Sequence, residues 1–287
     1  MTRRARLVTG AVLPAFNHPL KLAGELAMLD ALCDGRLDIG FARAFLPHEF
    51  ARFGIRLDES RARFDEGVEQ VRRLLEEENV TSEGHFYSFR DVTSLPRPTQ
   101  KPRPPFYIAA LATRESFERA GAAGHGIMAI PMAGGAMADV IETYRTARAR
   151  AGHTGRGSVM LAFHMFCHDS QAEAERIARG PLNRYLRSLV DAASAWMSGE
   201  KSADYPGYDK IIAGLACETF DTQVGKGAAW VGTPACILDV IAEYRRQVGD
   251  FECASLQVNF NDIALADAER SMRLFGEQVL PRLAHSD

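Results

Sequence analysis

One arginine stands where this chain could bind an anionic ligand. Arg43 follows the short apolar stretch Leu37–Phe41 within the segment GRLDIGFARAFLPHEFARFG, and a long charged segment comes after it. An arginine at the carboxyl end of a buried strand is well placed for such a ligand, and a guanidinium binds a phosphate through paired hydrogen bonds. The alternative is a surface arginine paired with a carboxylate such as Glu49. We therefore take Arg43 as the first candidate for a phosphate-binding residue.

A second candidate anion site lies at the turn after the apolar run Phe106–Leu111. Ala112, Thr113 and Ser116 stand where this predicted strand gives way to a helix. Backbone N–H groups at the start of a helix, together with small hydroxyls, can bind an anion. Ordinary capping of the helix by Thr113 is compatible with that role.

Three further side chains are candidates to line a substrate pocket. Phe45 and His48 lie in the same loop as Arg43, and Phe86 lies in the aromatic segment GHFYSF. Exposure to solvent is the alternative for His48. These residues suggest an apolar or aromatic ligand without identifying one, and no acid–base pair of catalytic residues is visible.

Two histidines close together in the sequence do not indicate a metal site. His164 and His168 share one face of a predicted strand, but residues four apart on a strand are about 13 Å apart, which is too far for one ion. The segment offers no third ligand.

The elements that would position these residues alternate between strand and helix. Six predicted strands are each followed by a helix, which indicates a parallel sheet with right-handed crossovers. Such a sheet forms either a barrel or an open sheet. Because no GxGxxG follows any strand, the sequence argues against the dinucleotide-binding open sheet and favours the barrel. The predicted strands are Arg6–Leu13, Leu37–Phe41, Phe106–Leu111, Gly126–Ile130, Val159–Cys167 and Ala254–Asn259. The predicted helices are Leu20–Leu32, Asp58–Glu77, Thr113–Ala123, Gly135–Ala151, a region from Ser170 past Trp196, Thr233–Gly249 and Ala264–Leu283.

Two segments lack a clear period. Asn79–Pro105 is predicted to be irregular, either as an ordered lid that faces a ligand or as a plain surface connection. Residues 198–232 are predicted to be an irregular insertion of loop and short helices.

Composition limits the class of protein. The net charge of −3 gives no reason to expect nucleic acid or an anionic membrane as a partner, and no apolar run is long enough for a membrane helix. The five cysteines are widely spaced and odd in number, as expected for reduced thiols in the cytoplasm.

Several segments, taken together, resemble the bacterial-luciferase-like flavin monooxygenases. The matching pieces cover nearly the whole chain in order. They include LPAFNHPLKLAGELAMLDALCDGRLDIGFARAFLPHEFARFGI, ESRARFDEG, EGHFYSF, LPRPTQKPRPPFYIAA, ESFERAGAAGHGI, WVGTPACILDVIAEY and SMRLFGEQVLPRL. The resemblance implies an α/β fold of the luciferase-like (β/α)8 TIM-barrel lineage, with residues 1–287 forming a single domain of about six visible β/α units.

The resemblance also implies a cofactor and partners. The family uses reduced FMN, usually supplied by a separate flavin reductase, or in some branches a deazaflavin, and acts on a small organic substrate. Arg43 and the turn of Ala112, Thr113 and Ser116 match the residues that hold the cofactor phosphate. Thr9 and Gly10 match a strand whose non-proline cis peptide lies under the flavin ring. A homodimer that uses the Leu20–Leu32 region is also implied.

One departure from the family pattern keeps alternatives open. Members normally begin with two further β/α units before the strand that is Arg6–Leu13 here. Either the start codon is set too far downstream or the chain is a shortened relative. The resemblance therefore leaves three hypotheses, namely an FMN-dependent monooxygenase, a deazaflavin-dependent oxidoreductase of the same family, and a non-catalytic flavin-binding or accessory subunit.

Overall fold

A computed structural model describes residues 2–111 and 113–283, which form two compact units. The first unit comprises the residues up to Ala110 together with His125–Ile127 and Gly199–Pro206, and the second comprises the rest. The strands are β1 (Leu7–Val8), β2 (Leu37–Phe41), β3 (Val80–Glu83), β4 (Ser88–Val92), β5 (Phe106–Ala110), β6 (Gly126–Ala129), β7 (Val159–Cys167), β8 (Ala229–Gly232) and β9 (Cys253–Gln257). The helices are α1 (Pro19–Leu32), α2 (Pro47–Arg52), α3 (Ser60–Glu76), α4 (Arg114–Ala122), α5 (Gly134–Arg150), α6 (Gln171–Ala192), α7 (Tyr208–Ala216), α8 (Phe220–Gly225), α9 (Pro234–Val248), α10 (Leu265–Gln278) and α11 (Leu280–Leu283).

The first unit is built on three parallel strands. β2 pairs with β1 on one side and with β5 on the other. All five residues of β2 are buried, as expected for a central strand of a parallel sheet. The apolar faces of α1 and α3 pack against it, and their core includes Leu26, Val71 and Leu74. Strand pairing on both sides and helix packing therefore fix the position of β2, from whose carboxyl end the next loop begins.

The second unit is centred on β7, which pairs in parallel with β8 and with β9. Phe163 of β7 stacks on Trp230 of β8 with ring centroids 4.2 Å apart, and its edge meets Tyr244 of α9. α4 and α5 pack closely at Gly121, where an added Cβ would overlap the main-chain oxygen of Tyr144.

The structure corrects the sequence prediction in two segments. Asn79–Pro105 is not irregular throughout, because β3 and β4 form an antiparallel hairpin around the Gly84–Tyr87 turn. Residues 198–232 contain the expected short helices α7 and α8, but they also contain the unpredicted strand β8. The short helix α2 was not predicted either. The unpredicted elements α2, β3, β4 and β8 are four to six residues long, too short for hydrophobic periodicity to reveal.

The longer predicted elements are confirmed, with ends that shift by a few residues. β2 and β7 have the predicted bounds. Strand pairing in Arg6–Leu13 is limited to β1 and an isolated bridge at Val12. Within the described part of the chain, no helix combines the length and the apolar character that crossing a bilayer requires.

Candidate active site

Arg43 lies two residues beyond the end of β2, and its guanidinium is held without a carboxylate partner. Its Nη1 donates a hydrogen bond to the main-chain oxygen of Asp204 at 2.7 Å. Its Cζ lies 4.2 Å from the centroid of the Tyr205 ring, within the range of a cation–π contact. Among the described residues Arg43 forms no ion pair, with Glu49 or any other acid. The half-buried charge therefore has N–H donors left for an anion.

The residue after Arg43 has an unusual backbone conformation. Ala44 adopts φ = 62°, a left-handed conformation that costs an alanine about 1 kcal/mol. Its carbonyl accepts a hydrogen bond of 2.6 Å from the hydroxyl of Tyr205. Tyr205 is only 2% exposed, so the contact is fixed by packing. Backbone strain of this kind is often found at functional sites.

Thr9 and Gly10 are joined to the carboxyl end of β2. The Thr9 hydroxyl donates to the carbonyl of Gly40 at 3.1 Å and accepts from the N–H of Gly40 at 2.8 Å. The peptide bond between Gly10 and Ala11 is cis, as the resemblance implies. A Cβ added at Gly10 would have nothing within 4 Å, so one side of this backbone is open.

These first-unit residues fit a ligand that carries a phosphate. Arg43 supplies a charge that is not neutralised by the protein and N–H donors that are not used. The open side of Gly10 allows a flat group to approach the backbone closely. Both features belong to segments anchored on β2.

The second candidate site is a pair of hydroxyls at the start of α4, in the second unit. Thr113 is the N-cap residue of α4 but makes no side-chain cap to the backbone. Its hydroxyl instead donates to the hydroxyl of Ser116 at 2.7 Å. The expected capping bond is therefore absent, and the two hydroxyls are held together. Ala112 lies outside the described residues.

The three substrate-pocket candidates lie in different elements. Phe45 lies in the loop after Arg43, and His48 is half-buried on α2 rather than exposed. Phe86 lies in the turn of the β3–β4 hairpin, where the guanidinium of Arg63 stacks on its ring at 4.2 Å.

His164 of β7 is a half-buried residue that the sequence analysis considered only as a metal ligand. Its Nε2 is buried and has no hydrogen-bond partner in the described structure. Its ring meets the rings of Tyr185 and Phe260 edge to face. This apolar burial lowers the pKa of His164 to about 4, so the imidazole is neutral at pH 7.

Asp204 and Tyr205 are the residues at this site that the sequence analysis missed. They lie in the segment predicted to be an irregular insertion, more than 150 residues after Arg43 in the chain. No local pattern in this segment points to Arg43, because the contact depends on the tertiary fold.

Parallel strands followed by helices define an α/β protein of the barrel type. The family model for luciferase-like monooxygenases matches residues 1–250. The chain therefore belongs to the luciferase-like monooxygenase family, and its fold is of the luciferase-like TIM-barrel lineage.

Individual relatives agree with this assignment. The monooxygenase RslO1 from Streptomyces bottropensis has 42% sequence identity and a TM-score of 0.86, covering 98% of this chain and 79% of that chain. The oxygenase component of the flavin-dependent trigonelline monooxygenase from Acinetobacter baylyi is 31% identical over 70% of this chain, which spans only 55% of that protein. The oxygenating constituent of 3,6-diketocamphane monooxygenase from Pseudomonas putida, solved with FMN, shares the fold with a TM-score of 0.79 and 20% identity, covering 96% of this chain and 79% of that chain.

Proposed function

We propose that this chain is the oxygenase component of a two-component monooxygenase, which uses reduced FMN and oxygen to oxidise a small organic substrate. The observation that carries the proposal is the half-buried guanidinium of Arg43, which lacks a carboxylate partner at the carboxyl end of β2. Membership of the luciferase-like family supports the same conclusion. The flavin, when bound, supplies the electrons that activate oxygen.

In this proposal the protein binds and orients the cofactor. Arg43 binds the phosphate, and the open backbone beside Gly10, which follows Thr9, leaves space for the flavin ring. The resemblance supports further roles for two other groups of residues. The proposed additional phosphate ligands are Ala112, Thr113 and Ser116, and the proposed substrate-pocket residues are Phe45, His48 and Phe86.

The proposed partners are a flavin reductase, which delivers reduced FMN, and a second copy of the chain. The trigonelline relative is described as an oxygenase component, which supports a separate reductase. Helix α1 leaves Met28 and Leu32 52% and 78% exposed, which supports a homodimer face in the Leu20–Leu32 region. A cytoplasmic location is proposed from the free cysteines.

A flavin titration tests the cofactor site. We expect the protein to quench FMN fluorescence with a Kd in the micromolar range or below. Arg43→Ala should weaken binding tenfold or more, which corresponds to about 1.4 kcal/mol. The matched control is Arg52→Ala, because Arg52 is an exposed arginine of α2 whose side chain forms no hydrogen bond or ion pair with the described residues. We expect this control to bind FMN as the parent protein does.

Other outcomes separate the competing hypotheses. Tighter binding of the deazaflavin F420 than of FMN would favour the deazaflavin oxidoreductase, since Arg43 can hold the phosphate of either cofactor. Binding of FMN without transfer of labelled oxygen to aldehydes or ketones, in the presence of a reductase and NADH, would favour an accessory subunit. A folded protein that binds neither cofactor would refute the proposal.

A further inference from the structure

The eight residues Gly199–Pro206, here called the strap, return from the second unit to the first. The residues just before and just after the strap, Ser198 and Gly207, belong to the second unit, whereas the strap itself is part of the first. The Ser202 hydroxyl joins the strap to the rest of the unit by donating to Asp58, and within the strap it accepts from the N–H of Asp204. The strap is therefore bonded to the unit that contains Arg43 and is part of it.

The carboxylate of Asp204 caps helix α3. The N-cap residue of α3 is Glu59, whose side chain makes no capping hydrogen bond. The Oδ2 atom of Asp204 accepts instead from the N–H of Arg61 at 2.9 Å and from the hydroxyl of Ser60 at 3.1 Å. A negative group at a helix N-terminus also interacts favourably with the helix dipole. The strap is thereby fixed to the start of a 17-residue helix.

The same two residues of the strap fix the guanidinium of Arg43. The main-chain oxygen of Asp204 accepts from Nη1, and the Cζ atom of Arg43 lies over the Tyr205 ring, 4.2 Å from its centroid. The Tyr205 hydroxyl also holds the carbonyl of Ala44, whose left-handed backbone directs the chain after Arg43. One edge of the guanidinium is occupied, and its other N–H groups stay available.

We propose that Asp204 and Tyr205 are positioning residues that hold Arg43 ready for the cofactor phosphate. This inference rests on the proposed function, because it assigns the strap a role in the same phosphate site. An arginine that is already ordered loses less conformational entropy when it binds its ligand. The strap should therefore strengthen cofactor binding through Arg43, without itself touching the phosphate.

A double-mutant cycle on FMN binding tests the inference. Asp204→Ala and Tyr205→Leu should each weaken FMN binding about fivefold in the parent protein. In the Arg43→Ala background the same changes should weaken binding less than about twofold, because their effect passes through Arg43. Asp204→Asn should bind FMN nearly as well as the parent, since its amide oxygen can still accept from Arg61 and Ser60. Lys201→Ala is the matched control, because Lys201 is an exposed strap residue whose side chain forms no hydrogen bond or ion pair with the described residues.

Hydrogen exchange in the ligand-free protein supplies a readout that does not depend on flavin. Asp204→Ala should speed exchange of the amide of Arg61 at the start of α3, and Lys201→Ala should not. Unchanged exchange of this amide would mean that Asp204 does not hold the strap to α3, which would overturn its positioning role.

Two binding results would overturn the inference while leaving the proposed function intact. One is FMN binding that is unaffected by both strap substitutions. The other is an equal loss of affinity with and without Arg43, which would mean a general loss of structure. If the parent protein binds neither FMN nor F420, the proposed function fails first, and the positioning role fails with it.

Discussion

Arg43 differs from most arginines of this chain because it forms no ion pair with a described carboxylate. Arg6, for example, forms a charge-assisted pair with Asp38, with 2.6 Å between Nη2 and Oδ1. Arg43 receives only a carbonyl oxygen and an aromatic ring from the described residues. These groups compensate in part for its loss of water but leave the charge uncancelled. We expect an anionic ligand to supply the ionic interaction that Arg43 lacks among the described residues.

His164 is expected to make the protein sensitive to acid. Burial lowers its pKa from 6.5 to about 4, so its contribution to stability is present above pH 6.5 and is lost as the pH falls towards 4. Between pH 7.5 and pH 5 this one group should reduce the free energy of unfolding by about 2 kcal/mol. Urea unfolding at the two pH values measures the acid-induced loss of stability. In His164→Leu this loss should be smaller than in the parent protein by about 2 kcal/mol.

His85→Leu is the control for that experiment, because His85 is an exposed histidine. Its replacement should leave the acid-induced loss unchanged. If the loss is the same in the parent and in His164→Leu, then His164 does not titrate as a buried neutral group. The whole acid response would in that case belong to other residues.

At the scale of elements, the sequence predicts helix α3 and its buried face but not the residues that cap its two ends. Its apolar face follows a helical period, which predicts both the helix and the side that packs in the core. Its ends are completed by residues far away in the chain. Asp204 caps the start, and Arg97 donates to the carbonyls of Leu74 and Leu75 near the end. Local signals cannot reveal such caps, because only the fold brings these residues together.

Glu66 of α3 is expected to hold the aromatic hairpin turn in place. Its carboxylate accepts from the N–H groups of His85, Phe86 and Tyr87 at 2.8–3.2 Å. Glu66→Gln would direct an amide NH2 group at these donors and leave at least one of them unpaired. The free energy of unfolding should fall by about 1–2 kcal/mol. Urea unfolding measures this loss, and amide exchange should rise at the turn.

The control is Glu83→Gln on the same hairpin, where Glu83 is 82% exposed and lies 3.9 Å from Arg90. An exposed ion pair of this length contributes little, so the change in stability should stay within about 0.5 kcal/mol. Equal effects of the two substitutions would show that the Glu66 network does not stabilise the turn.

At the scale of the whole molecule, the sequence predicts the long elements but not the short ones that depend on contacts with distant residues. Thr233-Pro234 predicts the start of α9 because its capping signal is local, and the Thr233 side chain does accept from the N–H of Cys236. β8 has only four residues and is defined by pairing with β7, more than 60 residues earlier. The strap has no pattern of its own. Its part in the candidate site therefore becomes visible only in the fold.

The distribution of charge predicts that added salt will change the thermal stability little but will weaken FMN binding. Many ion pairs lie on the surface within single helices, such as Arg246 with Glu243 and Arg273 with Glu269. Such exposed pairs contribute little to folding, so raising NaCl from about 0.05 M to about 0.5 M should move Tm by less than about 3 °C. The same change should weaken FMN binding about threefold or more, because salt screens the attraction between Arg43 and a phosphate.

Thermal unfolding and FMN titration at the two salt concentrations measure both effects, and Arg43→Ala supplies the control. Its residual FMN binding should depend less on salt, because the charge that attracts the phosphate has been removed. FMN affinity that is independent of salt in the parent protein would contradict a charge-based phosphate site at Arg43. A fall in Tm of about 10 °C or more at the higher salt concentration would show instead that the surface ion pairs act as a stabilising network.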